Sequence, residues 1–266
     1  MLSLLKMDVL RLGKSRSFYI ILGVTAALIV SLVLMVAGIS DPEVIDAMAA
    51  QGAEIDLEDQ QTLKYIKSMD QLAFVHETLG SGFLLVIAGI GMTLFAGGDF
   101  SSGYIKNICF ARPRRWDYVL SKLLLAGVYS GLLTALGVLL SLLSPRLVGL
   151  RLAAAPLSQL TGYAVLMWLP CWAFSLMALT LVLLTRSSTL GIILSLVSGG
   201  DLTVILAGAL CGRLGLPPVE QYFLSSVVRD LCAPQTGAAA LILACTAGWS
   251  VLYAAVSLAA IKNQDI

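Results

Sequence analysis

Phe18 to Ile39 reads FYIILGVTAALIVSLVLMVAGI, a stretch without a charged residue that is preceded by Lys6, Arg11, Lys14 and Arg16. At about 1.5 Å of rise per residue, a helix of this length crosses the roughly 30 Å hydrocarbon layer of a bilayer. The apolar core of a secretory signal is shorter, about 7 to 15 residues, so the stretch predicts an uncleaved first transmembrane span. The rest of the chain agrees with that solvent. Of 266 residues 58% are hydrophobic and 12% charged, with mean hydropathy +0.91, which excludes an ordinary soluble domain.

Working outward, apolar runs of spanning length fall at 17–38, 79–97, 119–143, 160–184, 190–211 and 237–261. Backbone amides in lipid are satisfied only within a helix or a closed barrel, and none of these runs alternates with the period of a barrel strand. The sequence therefore predicts an all-α membrane protein with six transmembrane helices in a single transmembrane domain, 1–266. Thr185 to Thr189, with Arg186, predicts a tight turn between the fourth and fifth spans, and Pro170, between Trp168 and Trp172, a kink that is either a fixed bend or a hinge.

Lysine and arginine counts set the expected orientation. One set of loops and ends holds about 11 (Lys6, Arg11, Lys14, Arg16, Lys106, Arg112, Arg114, Arg115, Lys122, Arg186, Lys262) and the other about 6 (Lys64, Lys67, Arg146, Arg151, Arg213, Arg229). The first set is expected in the cytoplasm, which puts both termini there and the acidic Ser40 to Glu77 segment outside. Asp56, followed by Leu57, Glu58 and Asp59, reads as a helix N-cap with acids in the first turn, leading toward the second span as a solvated helix or a substrate-contacting cap. In the first fifteen residues Leu2, Leu5, Val9 and Leu12 share one helical face, with Lys6, Arg11 and Lys14 elsewhere. That pattern predicts an amphipathic helix on the inner membrane surface, or a first span extended into the cytosol.

The richest polar segment joins the second and third spans. It runs Asp99-Phe-Ser-Ser-Gly103-Tyr-Ile-Lys106-Asn107, then Arg112-Pro113-Arg114-Arg115-Trp116-Asp117-Tyr118 and Lys122. Gly103 permits a sharp bend and Pro113 breaks a short helix, while the arginines can pair with carboxylates of another protein or with lipid phosphates. Asp201 falls about 11 residues into the fifth span. Exposure to lipid there would cost roughly 3 kcal/mol, so it needs a neighbouring polar partner or a place on a path. Small-residue pairs at Gly127 with Gly131 and Gly208 with Gly212 allow close helix approach within the chain or at a dimer interface.

Other chemistry finds little footing. Five cysteines lack CxxC spacing and His76 lacks an HExxH context, so neither a metal site nor an intramembrane protease is supported. Cys211 and Cys232 fall together on the outer side, free or paired. Gly13-Lys14-Ser15 ends like a phosphate-binding loop, yet Asp8 stands where its first glycine belongs. ATP hydrolysis, if used, must reside in another polypeptide.

Asp99, Gly103, Ile105, Lys106, Arg115, Tyr118 and Lys122 resemble the pattern of type-2 ATP-binding cassette exporter permeases, with Tyr104 where the family usually has Thr and Asp99 where it has Glu. The resemblance extends to the layout of a basic amphipathic N-terminus, six spans, an external segment before the last span and a short tail after Lys262. It implies that the segment from Phe100 to Arg115 is a cytoplasmic coupling helix, with Asp99, Gly103, Lys106, Arg112, Arg114 and Arg115 engaging the ATPase. It also implies that the N-terminal segment with Lys6, Arg11 and Lys14 is a connecting helix, and that Arg213 to Pro234 dips into the outer leaflet. Asp201, Gly208 and Gly212 would then lie near the path or the dimer interface. The implied assembly is a multi-pass permease of a bacterial plasma membrane, with ABC ATPase subunits, a second permease copy as homodimer or related heterodimer, and lipid; nucleic acid is not expected. This chain would bind no cofactor, ATP and Mg being held by the ATPase. Its function would be ATP-driven efflux of a peptide, antibiotic or lipid-like substrate, as in antibiotic or bacteriocin resistance. The alternative is an ion- or proton-coupled secondary transporter using Asp201.

Overall fold

The computed structural model describes residues 2–40, 65, 66, 68–105, 108, 116–150, 152–200, 202–215, 217, 219–232 and 238–263. Among them the regular structure is helical, apart from an isolated bridge between Asp70 and Ala153. The helices are α1 (Leu2–Lys14), α2 (Arg16–Ser40), α3 (Gln71–Leu79), α4 (Phe83–Ser101), α5 (Trp116–Leu147), α6 (Leu157–Thr185), α7 (Ser188–Gly199), α8 (Leu202–Leu214), α9 (Leu224–Arg229) and α10 (Ala238–Asn263). Five of them, α2, α4, α5, α6 and α10, are long and apolar enough to cross a membrane, and α7 with α8 makes a sixth if the pair is one bent span. The chain is thus a helical bundle with the composition of a multi-pass membrane protein.

Two expected spans change shape. The second begins at Phe83 rather than 79, because the helix leading into it, α3, ends at Leu79 and the chain turns through Gly80 to Gly82. Gly82 has φ +82°, a left-handed conformation that favours glycine. The fifth, expected to run unbroken over 190–211, ends its first helix at Gly199, and α8 departs at 62°. Two successive glycines weaken the helix there, and an apolar run reads the same whether straight or bent. Asp201 lies outside the described residues, so the mid-span placement expected for it rests on a continuity that the flanking helices do not have.

The remaining boundaries match within a few residues. The expected turn after α6 is tight: Arg186 sits at φ +55° and the Ser187 hydroxyl accepts from the Leu190 amide at 3.4 Å, capping α7. The α6 helix runs on through Pro170 as one element. The helix expected from Asp56 lies outside the described residues; α3 is capped by Asp70, whose carboxylate accepts from the Ala73 amide at 2.7 Å.

Burial separates an inner set of helices from an outer one. In the most apolar stretch of α6 61% of residues are buried, against 17% in α2 and 11% in α10. Accordingly α6 packs against α4, α5, α7 and α10, while α2 leans on α4 and α5 and turns Tyr19, Ile20, Val24, Leu34 and Met35 outward. Small residues set the closest contacts, since apolar burial gains little between helices already in lipid. A Cβ at Gly91 would fall on the Tyr129 hydroxyl and one at Gly97 on the Ser188 hydroxyl, while at Gly191 it would meet Thr93 Cγ2 at 2.6 Å. Gly127 and Gly131 lie under the indoles of Trp172 and Trp168, which stack at 5.8 Å and donate to the carbonyls of Leu123 (3.0 Å) and Gly127 (2.9 Å). That glycine pair therefore serves contact within the chain. At the other pair a Cβ on Gly208 would meet the Glu220 carboxyl carbon at 3.6 Å, also within the chain, and among the described residues Gly212 has open space beside it.

Beyond α8 the chain forms short helical pieces: a 3-10 turn at Glu220–Tyr222, α9, and a second 3-10 turn at Asp230–Cys232. Leu224 and Val228 are buried in the main core, and Trp249 of α10 donates to the Tyr222 carbonyl at 2.8 Å. Cys211 carries a free thiol.

Candidate functional site

A second apolar cluster gathers Leu4, Ile105, Tyr118, Val119, Leu183 and Ile261. It marks the end of the bundle where α1 lies against the close of α4 and the opening turns of α5. Into this apolar surround four charges are set. Asp8 and Asp99 are 1% and 0% exposed, Lys122 is 0% exposed, and Arg11 is 34% exposed at its side chain.

Their geometry is reciprocal. Lys122 Nζ lies 2.9 Å from Asp8 Oδ1 and 2.7 Å from Asp99 Oδ2, bridging α1 to α4 from the first turns of α5. Arg11 Nη1 lies 2.9 Å from Asp99 Oδ1 and 3.8 Å from Asp8 Oδ1. The remaining acceptor sites are filled by hydroxyls. Tyr118 donates to Asp99 Oδ2 at 2.9 Å, Ser121 to Asp8 Oδ2 at 2.6 Å, and Tyr104 to Asp8 Oδ1 at 3.3 Å. Aromatic faces cover the cations: the Arg11 guanidinium stands 3.7 Å from the Tyr104 ring centre, and Lys122 Nζ 4.5 Å from that of Phe95. Burial opposes the Arg11 charge, but Asp99 and Tyr104 outweigh it and hold the guanidinium above its ordinary range. Burial, then the Asp8 carboxylate, pushes the Tyr104 phenol up against the opposing pull of Arg11.

Taking buried charges out of water costs several kcal/mol per ion unless they are paired and hydrogen-bonded. Here two anions meet two cations, so the group is neutral as a whole. The local helical phases bring this about. Asp8 shares a face of α1 with Leu4 and Leu12, one turn on either side, and all three are buried. This corrects the expected apolar face: Val9 is 39% exposed, because the buried stripe is centred on an acid and not on the Leu2, Leu5, Val9, Leu12 register.

Of the residues expected to engage a partner, Asp99 is in this cluster and Gly103 is next to it, at φ +68°, opening the link toward α5. Arg11 is a member, while Lys6 and Lys14 are exposed on α1. Lys106, Arg112, Arg114 and Arg115 lie outside the described residues, as does Asp201. The sequence reading overlooked Asp8, Phe95 and Ser121 as site residues and took Tyr118 and Lys122 only as parts of a motif. The available signal was a single acid inside a basic amphipathic helix, together with a lysine embedded in an apolar run.

Within the cluster the charged and hydroxyl side chains are spent on one another. Its chemistry is that of a joint: it fixes α1, the end of α4, the start of α5 and Tyr104 in one register. No protein-family model matches the chain, and no curated protein matches it.

Proposed function

We propose that this chain is the membrane-spanning permease subunit of an ATP-driven exporter, with both termini in the cytoplasm of a bacterial cell and a separate ATPase that works on the link between α4 and α5. The observation that carries the reading is the neutral ionic joint of Asp8, Arg11, Asp99 and Lys122, which ties that link to the N-terminal helix. A push on the link from a closing nucleotide clamp would then move α1, α4 and α5 together, which is what conversion of a local contact into helix tilt requires. The resemblance in Asp99, Gly103, Ile105, Lys106, Arg115, Tyr118 and Lys122 supports the same assignment, as does the excess of cations in the loops on that side. On this reading Lys106, Arg112, Arg114 and Arg115 contact carboxylates of the ATPase, and ATP and Mg belong to that partner. A second permease copy completes the path, and the cargo is a peptide, antibiotic or lipid-like compound.

One observation favours a second reading. The break between α7 and α8 next to Asp201 has the form of a discontinuous helix, the kind of element that secondary transporters use to bind an ion. The two readings part on energy source. Reversing charge at Arg114 and Arg115 to Glu is expected to release the ATPase on co-purification while membrane insertion is retained; association that survives both substitutions contradicts the first reading.

A further inference from the structure

The four charges of the joint divide unequally between two bodies. Asp8 and Arg11 both belong to α1, at i and i+3, 3.8 Å apart. Asp99 and Lys122 both belong to the rest of the bundle, 2.7 Å apart, with the Tyr118 hydroxyl also on Asp99. Each body is therefore neutral within the joint and holds its own ion pair. Separation would break the ionic cross contacts, Arg11 to Asp99 and Lys122 to Asp8, both 2.9 Å, and the hydroxyl bonds of Ser121 and Tyr104 to Asp8, but would leave no charge bare in the bundle. This is unlike an ordinary buried salt bridge, whose rupture strands one charge on each side.

The connections on either side of α1 suit such a movement. A single residue, Ser15, separates α1 from α2; its amide donates to the Leu12 carbonyl at 3.0 Å, and the Tyr19 hydroxyl donates to the Gly13 carbonyl at 2.8 Å on the exposed side. The apolar attachment of α1 runs through Leu4, Leu12 and the partly buried Leu5, with Val9 and Leu10 facing outward. On the far side α1 grips Tyr104 twice, through the Arg11 guanidinium on its ring and through Asp8 on its hydroxyl. Tyr104 follows Gly103, whose positive φ marks the swivel into the link.

We infer that α1 is a detachable latch: a helix that docks and undocks as an electrically neutral unit, hinged at Ser15, and that frees Tyr104 when it leaves. The device goes beyond the exporter reading and does not depend on it, since opening needs neither ATP nor a partner.

The neutral-halves arrangement makes a prediction that contact loss alone does not. Removing one charge of α1 leaves the docked joint with an uncompensated charge, whereas removing both restores neutrality. Amide hydrogen exchange of the full-length protein in lipid nanodiscs, read by mass spectrometry, tests this on D8N, R11Q and the D8N/R11Q double variant. In the wild type α1 amides are expected to exchange about tenfold or more faster than those of α5, as a separately opening unit. Each single variant is expected to accelerate α1 exchange by about tenfold, the scale of a lost charged hydrogen bond. The double variant is expected to accelerate it by no more than the faster single, with α5 protection unchanged in all three. Exchange of α1 in step with α5 in the wild type overturns the latch, as does a double variant whose acceleration reaches the product of the two singles, or loss of α5 protection in any variant.

Discussion

Two kinds of helix contact in this bundle are held by opposite means. Where α1, α4 and α5 meet, two anions and two cations are set together, three of the four buried and Arg11 partly exposed, and every carboxylate oxygen has a donor. Where α4 meets α7, and where α5 meets α6, the contact exists because side chains are missing: Gly97 under Ser188, Gly191 under Thr93, Gly131 under Trp168. The first kind can open and leave each part neutral. The second is steric, has one fitting arrangement, and favours rigidity. An element that moves is therefore expected at the ionic joint, and a scaffold at the glycine contacts.

The largest test of this contrast is Lys122→Met. It leaves Asp8 and Asp99 buried with only Arg11 between them, and is expected to cost about 3 to 5 kcal/mol, read as a lowered thermal midpoint by tryptophan fluorescence in detergent. An unchanged midpoint would mean that the joint carries no structural energy. Next comes Gly91→Ala, whose new methyl would overlap the Tyr129 hydroxyl. The expected penalty is about 1 to 3 kcal/mol from overpacking, in the same assay and without change in α1 exchange. Were α1 to loosen as well, the two regions would not be independent.

A smaller effect is expected from Trp168→Phe, which keeps an aromatic ring over Gly131 and gives up the bond to the Gly127 carbonyl. A loss of about 1 kcal/mol is expected, and it should appear in exchange of α5 and not of α1. Gly212→Ala is the control, because nothing lies within 4 Å of the added carbon. It is expected to be neutral or to stabilise by up to about 1 kcal/mol through helix propensity. A clear loss would reveal a neighbour packed on that face, such as a second copy of the chain.

The long apolar helices were legible because lipid imposes a length and a composition that few other structures need. The runs behind α2, α5, α6 and α10 gave their positions to within a few residues, and the short interval Thr185 to Thr189, with Arg186, gave the tight turn after α6. The break after Gly199 was not legible, since hydropathy is blind to direction and Gly199-Gly200 occurs in straight membrane helices too. Val9 was misassigned because the apolar pattern of α1 was read without Asp8: a charged residue is expected outside until its partners are known, and those partners, Lys122 and Ser121, are more than a hundred positions away. Asp99 and Arg11 were marked from motif and charge, but that they meet is a fact of packing.

The proposed coupling is that of an external ATPase driving this bundle through the link between α4 and α5. It is tested most directly by measuring ATP hydrolysis in the complex purified from native membranes through a tag on this chain, with and without the R114E/R115E substitutions. ATP turnover that accompanies the wild-type chain and is lost from the substituted one is the expected result. A wild-type chain that emerges without ATP turnover, and moves solute on a cation gradient alone, would rule out an ATPase drive.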